Sequence, residues 1–473
     1  MNVADYIERW KRKRAIRFLT RSSPTRLEEM GEAKLEPVFR AAVANSPAYR
    51  ELVVGHAGEI PSVHSAADFR ERLPLLSKSS YFSAYSLAEL AGERRSRIKL
   101  AMTSSGFSGE FGYAVVPDEP VSRERFAVDV SFDYCFNISE KKTFVISFVP
   151  MGVHLETSLT LAETSVRSDM VIALLEKVSP YYDQTILIGD PYFSKKLIEE
   201  GDTAGIDWSG LRISLVIGQD WLPETLRSYL ADRLAIDISA DSERMILATM
   251  GMAELGLNQF HESFATVRLR REFSKNRDLR ALFPGADMTA PPYFFHYYPF
   301  RTWVENVGAA GGNELAFTSL NADNIIPLLR YTTGDRGRVI PLVDVRAALG
   351  ARFSELMPDL KLPICMMMGR TQNRIVVNDT KACLEDIKEA LFLDRKVASA
   401  ITGLFQLKVG ADVAALRVHL KPNVSPSTGL AKRIETVIGD FCGVSLAVRT
   451  ERYEDFKEAL TLNFERKLYL PVG

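Results

Sequence analysis

A run of small hydroxyl-bearing residues and glycines at positions 103–111 is the part of this sequence best suited to hold an anion. Apolar, strand-like runs end at Met102 and resume at Tyr113, so the spacing predicts a turn between two strands. Backbone N–H groups of such a turn can converge on phosphate oxygens, and its hydroxyls would add donors. A β-hairpin without a ligand has the same composition, so the motif alone leaves both interpretations open. The residues that would bind the anion are Thr103, Ser104, Ser105, Gly106, Ser108 and Gly109.

Alternating segments further along the chain predict the fold that must position this turn. Between residues 120 and 240, helical patterns separate short β-rich runs at 143–149, 185–188 and 213–217. Strand, turn and helix in repetition predict an α/β domain with a largely parallel sheet. Ligands of such sheets lie beyond the carboxyl ends of the strands, where two of the runs are followed by glycine-containing turns. These turns, Gly189-Asp190-Pro191 and Gly218-Gln219-Asp220, are either ligand loops or simple connections.

Composition excludes several classes of function. The chain has 473 residues, of which 46% are hydrophobic and 25% charged, enough for two or three domains with large cores. With 59 basic and 60 acidic residues the net charge is −1, which does not indicate nucleic-acid binding. The four cysteines are far apart without a C-x-x-C pair, so neither a zinc site nor a disulfide framework is indicated. The sequence shows no apolar signal core and no membrane-length apolar run, so we expect a cytoplasmic protein.

Three later stretches favour a ligand-binding role for the turn at 103–111. They are Met250-Gly251-Met252-Ala253-Glu254-Leu255-Gly256, Pro327-Leu328-Leu329-Arg330-Tyr331-Thr332-Thr333-Gly334-Asp335 and Gly369-Arg370-Thr371-Gln372. Their order and separations resemble the adenylate-forming superfamily of acyl-CoA synthetases, and among its branches the phenylacetate–CoA ligase family. Segments at 6–10, 46–50 and 73–78 also resemble that branch, so the resemblance covers nearly the whole chain. It implies ATP-dependent activation of a carboxylic acid, aromatic or from secondary metabolism, as an acyl-adenylate with release of pyrophosphate.

The resemblance also implies roles for individual residues. The turn at 103–111 would cradle the β- and γ-phosphates, and Glu254, next to the nucleotide-contacting Gly251 and Met252, would hold Mg²⁺, which prefers carboxylate oxygen. Asp335 would accept hydrogen bonds from the ribose hydroxyls, and Arg370 would contact the ribose or a phosphate. Each of these residues could instead have an ordinary surface or packing role. The resemblance also places Gly218 and Gln219 along the adenine, and it suggests Tyr181, Tyr182, Gly189 and Pro191 for the acyl pocket.

A domain boundary is expected near Gly369 and Arg370. It would separate a large adenylation domain, residues 1–369, with mixed sheets flanked by helices, from a small α+β lid, residues 370–473. By resemblance, a lysine near the chain end reaches the first domain during adenylation, and Lys467 is the candidate, with Lys457 as the alternative. The lid would then rotate about a hinge at Gln372 so that an acceptor can approach. The acceptor would be CoA, or alternatively an amine or a carrier protein, and relatives in this branch are often homodimers.

Departures from the family pattern keep a second hypothesis open. Phe107 and Phe111 stand in the phosphate turn where Thr and Pro are usual, and Ala253 replaces a hydroxyl residue before the glutamate. Residues 376–379 replace a glycine that helps to admit the CoA arm in many relatives. We therefore expect ATP use, leave the acceptor open between CoA and an amine or carrier protein, and keep a non-catalytic nucleotide-binding relative as the alternative.

Overall fold

The structure is a computed structural model that describes residues 3–103, 113–117, 121–149, 154–208, 210–240, 242–285, 288–308, 313–377, 380–409 and 414–456. No helix within these ranges is long and apolar enough to cross a membrane. The α-helices are α1 (Val3–Arg21), α2 (Pro24–Glu32), α3 (Leu35–Asn45), α4 (Pro47–Ala57), α5 (Ala66–Arg72), α6 (Leu87–Ala91), α7 (Val121–Phe136), α8 (Ser168–Lys177), α9 (Pro191–Ala204), α10 (Glu224–Leu234), α11 (Phe264–Lys275), α12 (Arg277–Leu282), α13 (Leu342–Leu349), α14 (Leu384–Ala390), α15 (Arg395–Ala400) and α16 (Thr428–Cys442).

The β-strands pair into one large sheet and three small ones. They are β1 (Ile98–Thr103), β2 (Tyr113–Pro117), β3 (Thr143–Ser147), β4 (Thr160–Glu163), β5 (Gln184–Gly189), β6 (Ile213–Ile217), β7 (Ile246–Met252), β8 (Gly256–His261), β9 (Tyr293–Tyr297), β10 (Thr302–Val307), β11 (Glu314–Ser319), β12 (Tyr331–Ile340), β13 (Ile364–Arg370), β14 (Arg374–Val377), β15 (Thr380–Cys383), β16 (Ile401–Val409), β17 (Ala414–Leu420) and β18 (Ala447–Glu451).

The large sheet has eleven described strands in the order β10-β11-β12-β13-β9-β8-β7-β6-β5-β3-β4. Pairing is parallel from β4 to β7 and antiparallel from β7 to β10. Every residue of β3, β5 and β6 is buried, as expected for parallel strands that helices cover on both faces. The predicted mixed sheet with flanking helices is therefore confirmed.

The turn after β5 shows how the local sequence builds this half of the sheet. Asp190 lies just before α9 and accepts hydrogen bonds from the backbone N–H groups of Tyr192 and Phe193, at 2.8 and 3.0 Å. Pro191 occupies the first helical position, where its fixed φ angle and missing N–H are no disadvantage. The three-residue turn is thus a helix cap that directs the chain from the sheet edge into α9.

One local prediction was wrong. The polar residues 332–337 predict a turn, whereas the structure places them within the continuous strand β12. A bulge between Asp335 and Gly337, next to Gly334 at φ +78°, absorbs the polar stretch without ending the strand. The bulge matters for the site, because it sets Asp335 opposite Arg370 of β13.

Residues beyond β13 pack against a helix and a loop that flank the large sheet. Asp386 of α14 accepts hydrogen bonds from the backbone N–H groups of Thr289 and Ala290, at 2.9 and 2.7 Å. Glu389 accepts from the N–H groups of Glu224 and Thr225, both at 2.8 Å, at the start of α10. The β14–β15 hairpin precedes α14, and the sheet β16-β17-β18 with α16 follows it.

Candidate functional site

Two adjoining cavities lie at the carboxyl edge of the parallel strands. Their volumes are about 320 and about 130 Å³, and Gln219, Thr249 and Gly251 line both. Gln219 belongs to the bend after β6 and adopts a left-handed φ of +68°, while Thr249 and Gly251 lie on the neighbouring β7. A single elongated ligand could therefore extend from one cavity to the other across these three residues.

An ion pair forms one wall of the smaller cavity. Arg370 Nε donates to Asp335 Oδ1 at 3.1 Å, and the Thr333 hydroxyl donates to the other carboxylate oxygen. The Asp335 side chain is 4% exposed, and its charge is the main reason why the pKa of Arg370 is raised. The strand register and both hydrogen bonds hold this carboxylate in a fixed position at the cavity wall.

Aromatic rings and a second ion pair complete the smaller cavity. The rings of Trp221 and Tyr293 lie 4.4 Å apart, centre to centre, and Phe295 stacks on Tyr293 at 4.6 Å. Lys388 of α14 reaches Asp220 with Nζ–Oδ1 at 2.8 Å, and both side chains are almost completely buried. The cavity thus combines flat apolar surfaces with fixed charges, a combination that suits a planar ligand with polar substituents.

Glu254 lies in the turn between β7 and β8 and lines the larger cavity. Its side chain is 3% exposed, with Lys78 Nζ at 3.4 Å and the Tyr331 hydroxyl at 3.4 Å from Oε1. Burial and the nearby Glu254 carboxylate raise the pKa of Tyr331, so this phenol is a neutral donor. Lys78 is carried there by a segment that pairs with β12, since Leu76 and Tyr331 form a parallel bridge.

This arrangement fits a magnesium ion that is shared with a phosphate ligand. Among the residues that the structure describes, no group of three or more His, Cys, Asp or Glu side chains could enclose a metal ion. Mg²⁺ does not need such a group, because it is usually held by one or two carboxylates together with substrate phosphates and waters. Glu254 supplies one buried carboxylate in a cavity large enough for phosphate groups.

The remaining part of the larger cavity is mostly apolar. Ser147, Ile188 and Val216 are register partners across β3, β5 and β6 and form its floor. Val128 and Phe132, one turn apart on α7, face them across the cavity. The larger cavity is therefore polar near Glu254 and apolar where α7 covers the sheet.

The structure brings together several residues that the sequence singled out. Gly218, Gln219, Gly251 and Glu254 line the larger cavity, and Asp335 and Arg370 line the smaller one. Met252 is buried beside Gly251 and is not part of either lining. Thr103 ends β1, which pairs with β2 as the predicted hairpin. The other turn residues and the candidate lysine lie outside the described residues, namely Ser104, Ser105, Gly106, Ser108, Gly109 and Lys467.

The four residues suggested for the acyl pocket lie outside both cavity linings. Tyr181 is 74% exposed, and Tyr182 stacks on Phe144 with ring centres 5.1 Å apart. Gly189 packs so closely against Phe148 that a Cβ atom there would approach its ring to 2.0 Å. Pro191 begins α9 and is buried. The residue of this region that does reach the larger cavity is Ile188, one position before the glycine.

Sequence reasoning missed other residues of the site. Ser147 is a polar residue at the end of a predicted strand, and that position was a usable signal. Asp220 directly follows the predicted loop residues Gly218 and Gln219. No local pattern marked Thr249, Lys78 or Lys388, because only the tertiary fold brings them to the cavities.

Comparison with known proteins supports the predicted fold. No family model and no curated protein matches the chain. Among solved structures, the chain is similar to 2-hydroxyisobutyryl-CoA ligase in its postadenylation state, in complex with R3-HIB-AMP. The TM-score is 0.67 and the sequence identity 12%, and the match covers 93% of this chain and 89% of the ligase.

The chain has the adenylate-forming ligase fold. The same ligase bound to 2-HIB-AMP and CoA in the thioesterification state gives a TM-score of 0.55, at 12% identity over 93% of this chain and 89% of that chain. Its open conformation with the same ligands gives 0.53, at 11% identity over 93% and 90%. All three comparisons thus support the same fold.

Proposed function

We propose that this protein is an adenylate-forming ligase that uses ATP to activate a carboxylic acid. One oxygen of the acid attacks the α-phosphorus of ATP, the bond from that phosphorus to the oxygen bridging to the β-phosphate breaks, and pyrophosphate leaves. The observation that carries the proposal is the junction of a charged, aromatic-lined cavity and a largely apolar cavity at Gln219, Thr249 and Gly251. An acyl-adenylate has this division, with its mixed anhydride in the middle.

The smaller cavity would hold the nucleoside part of ATP. Asp335 would accept hydrogen bonds from the two ribose hydroxyls, since its carboxylate is fixed by Arg370 and Thr333 at the cavity wall. Gly218 and Gln219 would lie along the adenine. Arg370 would also contact the ribose or the α-phosphate, because its guanidinium is one-third exposed and retains donors beyond its bond to Asp335.

The phosphates would lie between Glu254 and the turn at 103–109. Glu254 would hold Mg²⁺, which when bound neutralises charge on the phosphate oxygens. The Lys78 ammonium, 3.4 Å from Glu254, adds a positive charge on the same side of the cavity. Hydroxyls and backbone N–H groups of Thr103, Ser104, Ser105, Gly106, Ser108 and Gly109 would bind the departing pyrophosphate, with Gly251 and Met252 behind the α-phosphate.

The C-terminal residues 370–473 would act as a lid on the adenylation domain, residues 1–369. Lys467 would contact the substrate carboxylate, and Gln372 would be the hinge about which the lid turns. The acyl group would then pass to CoA, as the CoA complexes of the similar ligase suggest, or alternatively to an amine or a carrier protein. Membership of the phenylacetate–CoA ligase branch, a cytoplasmic location and a homodimer belong to the same proposal.

Pyrophosphate exchange tests the adenylation step without knowledge of the acceptor. The purified chain is incubated with ATP, Mg²⁺, labelled pyrophosphate and a panel of aromatic, arylacetic and aliphatic acids. Label should enter ATP only with some of the acids, and the signal should disappear in the Asp335→Ala variant. Measurable ATP binding without exchange for any acid would favour the non-catalytic alternative.

A further inference from the structure

The floor of the larger cavity carries one polar side chain in an apolar setting. Ser147 of β3 lies beside Ile188 of β5, which lies beside Val216 of β6, so the three side chains stand on the same face of the sheet. All three line the cavity, and all three are buried. From the other side, α7 places Val128 and Phe132 over this row. Ser147 is thus a polar residue at the apolar end of the proposed acyl pocket.

This hydroxyl has no hydrogen-bond partner among the described residues. Ser147 is 1% exposed, while its backbone carbonyl already accepts from Thr164 N at 2.9 Å. Buried hydroxyls in native proteins are nearly always bonded, because an unsatisfied one costs about 1–3 kcal/mol. A hydroxyl on the wall of a binding cavity can gain its partner from the ligand.

The charges around the cavity restrict what that ligand group can be. Carboxylates of Glu124, Glu156 and Glu254 line the cavity together with the imidazole of His154, whose Nδ1 lies 2.9 Å from Glu163, whereas the described lining includes no lysine or arginine. The segments 104–112, 118–120 and 150–153, which adjoin described lining residues in sequence, contain no lysine or arginine either. A second carboxylate at the far end of the substrate would be buried among the apolar side chains around Ser147, where no lysine or arginine of the described lining could pair with it, which is strongly unfavourable.

The sheet geometry sets the length of the substrate. Val216 lies three residues before Gln219 at the cavity junction, and Ser147 lies two strands away from Val216, a lateral distance of about 10 Å. Acetate or propionate is too short to extend from the junction to Ser147. An aromatic ring, or a branched chain about as long as such a ring, would bridge this distance. The cavity volume of about 320 Å³ is at the small end of the usual range for ligand pockets.

On the basis of the proposed function, we infer that the substrate is a monocarboxylic acid of aryl or arylacetic size with an uncharged hydrogen-bonding group, such as a hydroxyl, at its far end. Ser147 is the residue that selects this group by exchanging a hydrogen bond with it. A site with a buried polar group discriminates against an analogue that lacks the partner, because that group then stays unpaired.

Matched pairs of acids test the inference in the pyrophosphate-exchange assay. The pairs are benzoate with 4-hydroxybenzoate, benzoate with 3-hydroxybenzoate, and phenylacetate with 4-hydroxyphenylacetate, while terephthalate represents the dicarboxylates. In at least one pair, kcat/KM for the hydroxylated acid should exceed that for its partner by about 10- to 100-fold. Terephthalate should give no exchange.

Two variants show whether Ser147 is responsible. Ser147→Ala should reduce the ratio within the pair to below about threefold, and it should not disturb packing, because the hydroxyl makes no bond within the described protein. Ser179→Ala is the matched control, since Ser179 is also buried with an unpartnered hydroxyl but lies outside both cavities. This control should preserve the wild-type ratio.

The outcomes separate the inference from the function on which it rests. Exchange with equal rates in every pair, or a preference that persists in Ser147→Ala, would overturn the inference and leave the proposed function intact. If no acid supports exchange, the proposed function fails, and calorimetric binding of benzoyl- and 4-hydroxybenzoyl-sulfamoyladenosine then decides the pocket's preference. Equal affinities, or a difference that Ser147→Ala retains, would overturn the inference in that case.

Discussion

Replacement of Asp335 by asparagine should weaken nucleotide binding much more than it weakens the fold. The side chain keeps its size, and its amide oxygen can still accept from Arg370 Nε, which lies 3.1 Å from the native carboxylate. What is lost is the negative charge. Hydrogen bonds to a charged group contribute about 1.5–3 kcal/mol and neutral ones about 0.5–1.5 kcal/mol, so each ribose hydroxyl would bind about 1 kcal/mol more weakly. Two hydroxyls give about 2 kcal/mol, or roughly a 30-fold rise in the Kd of ATP.

Isothermal titration with ATP and Mg²⁺ measures this loss, and urea unfolding measures the effect on the fold. Asp133→Asn provides the matched control, because Asp133 is similarly buried, lies 3.7 Å from Arg12, and belongs to neither cavity lining. We expect both variants to lose about 1–2 kcal/mol of stability or less, since each keeps a hydrogen-bonding side chain. If Asp335→Asn is folded and binds ATP within threefold of the wild type, the assignment of the ribose to this carboxylate is refuted.

Three further predictions follow from other parts of the site. Glu254→Gln should reduce the rate of adenylation about 100-fold or more in kinetic assays with saturating Mg²⁺, because it removes the only proposed carboxylate ligand without changing the side chain's shape. Lys388→Met should lower the free energy of unfolding in urea by about 3–5 kcal/mol, because it removes the ammonium beside the buried Asp220. Burial raises the pKa of Glu389 to about 7. The contribution of this carboxyl to stability is therefore full below its ordinary pKa and is lost as the pH rises through 7. From pH 6 to pH 8, the wild type should lose about 1.3 kcal/mol of stability relative to Glu389→Gln.

Each of these three predictions has its own control. For Glu254, the melting temperature should stay within about 2 °C of the wild type, and retained activity in a folded variant would contradict the metal role. For Lys388, the exposed Lys196 pairs with Glu200 on α9, and Lys196→Met should change stability by less than about 1 kcal/mol. Equal losses in the two lysine variants would contradict the buried-pair argument. For Glu389, a pH-independent difference would show that the carboxyl titrates normally.

Local patterns predicted the elements of the parallel half and missed how the site is assembled. The strand and helix at 185–199 could be read from an apolar run, a glycine, a capping Asp190 and a proline, all of which act within a few residues. Asp335 was found by resemblance, but the surrounding polar stretch was wrongly predicted as a turn, since a bulged strand has the same composition as a loop. Only the partner strand β13 distinguishes the two.

The remaining site residues depend on contacts between distant parts of the chain. Lys78 reaches Glu254 because its segment pairs with β12, more than 250 positions later, and no local sequence feature encodes that pairing. Lys388 similarly meets Asp220 only because α14 docks on α10. At the end of β5, the suggested pocket residue Gly189 contacts Phe148, whereas its neighbour Ile188 lines the larger cavity. In a strand, a shift of one residue changes the face of the sheet.

A crystal structure of the protein with 4-hydroxybenzoyl-sulfamoyladenosine, a stable analogue of an acyl-adenylate, would show whether the two adjoining cavities together hold an acyl-adenylate. We expect the ribose hydroxyls within hydrogen-bonding distance of Asp335, the sulfamoyl group at Gln219 and Gly251, and the aryl group in the cavity of about 320 Å³ with its hydroxyl at Ser147. Density for the analogue elsewhere on the molecule, or with its ribose far from Asp335, would contradict this expectation.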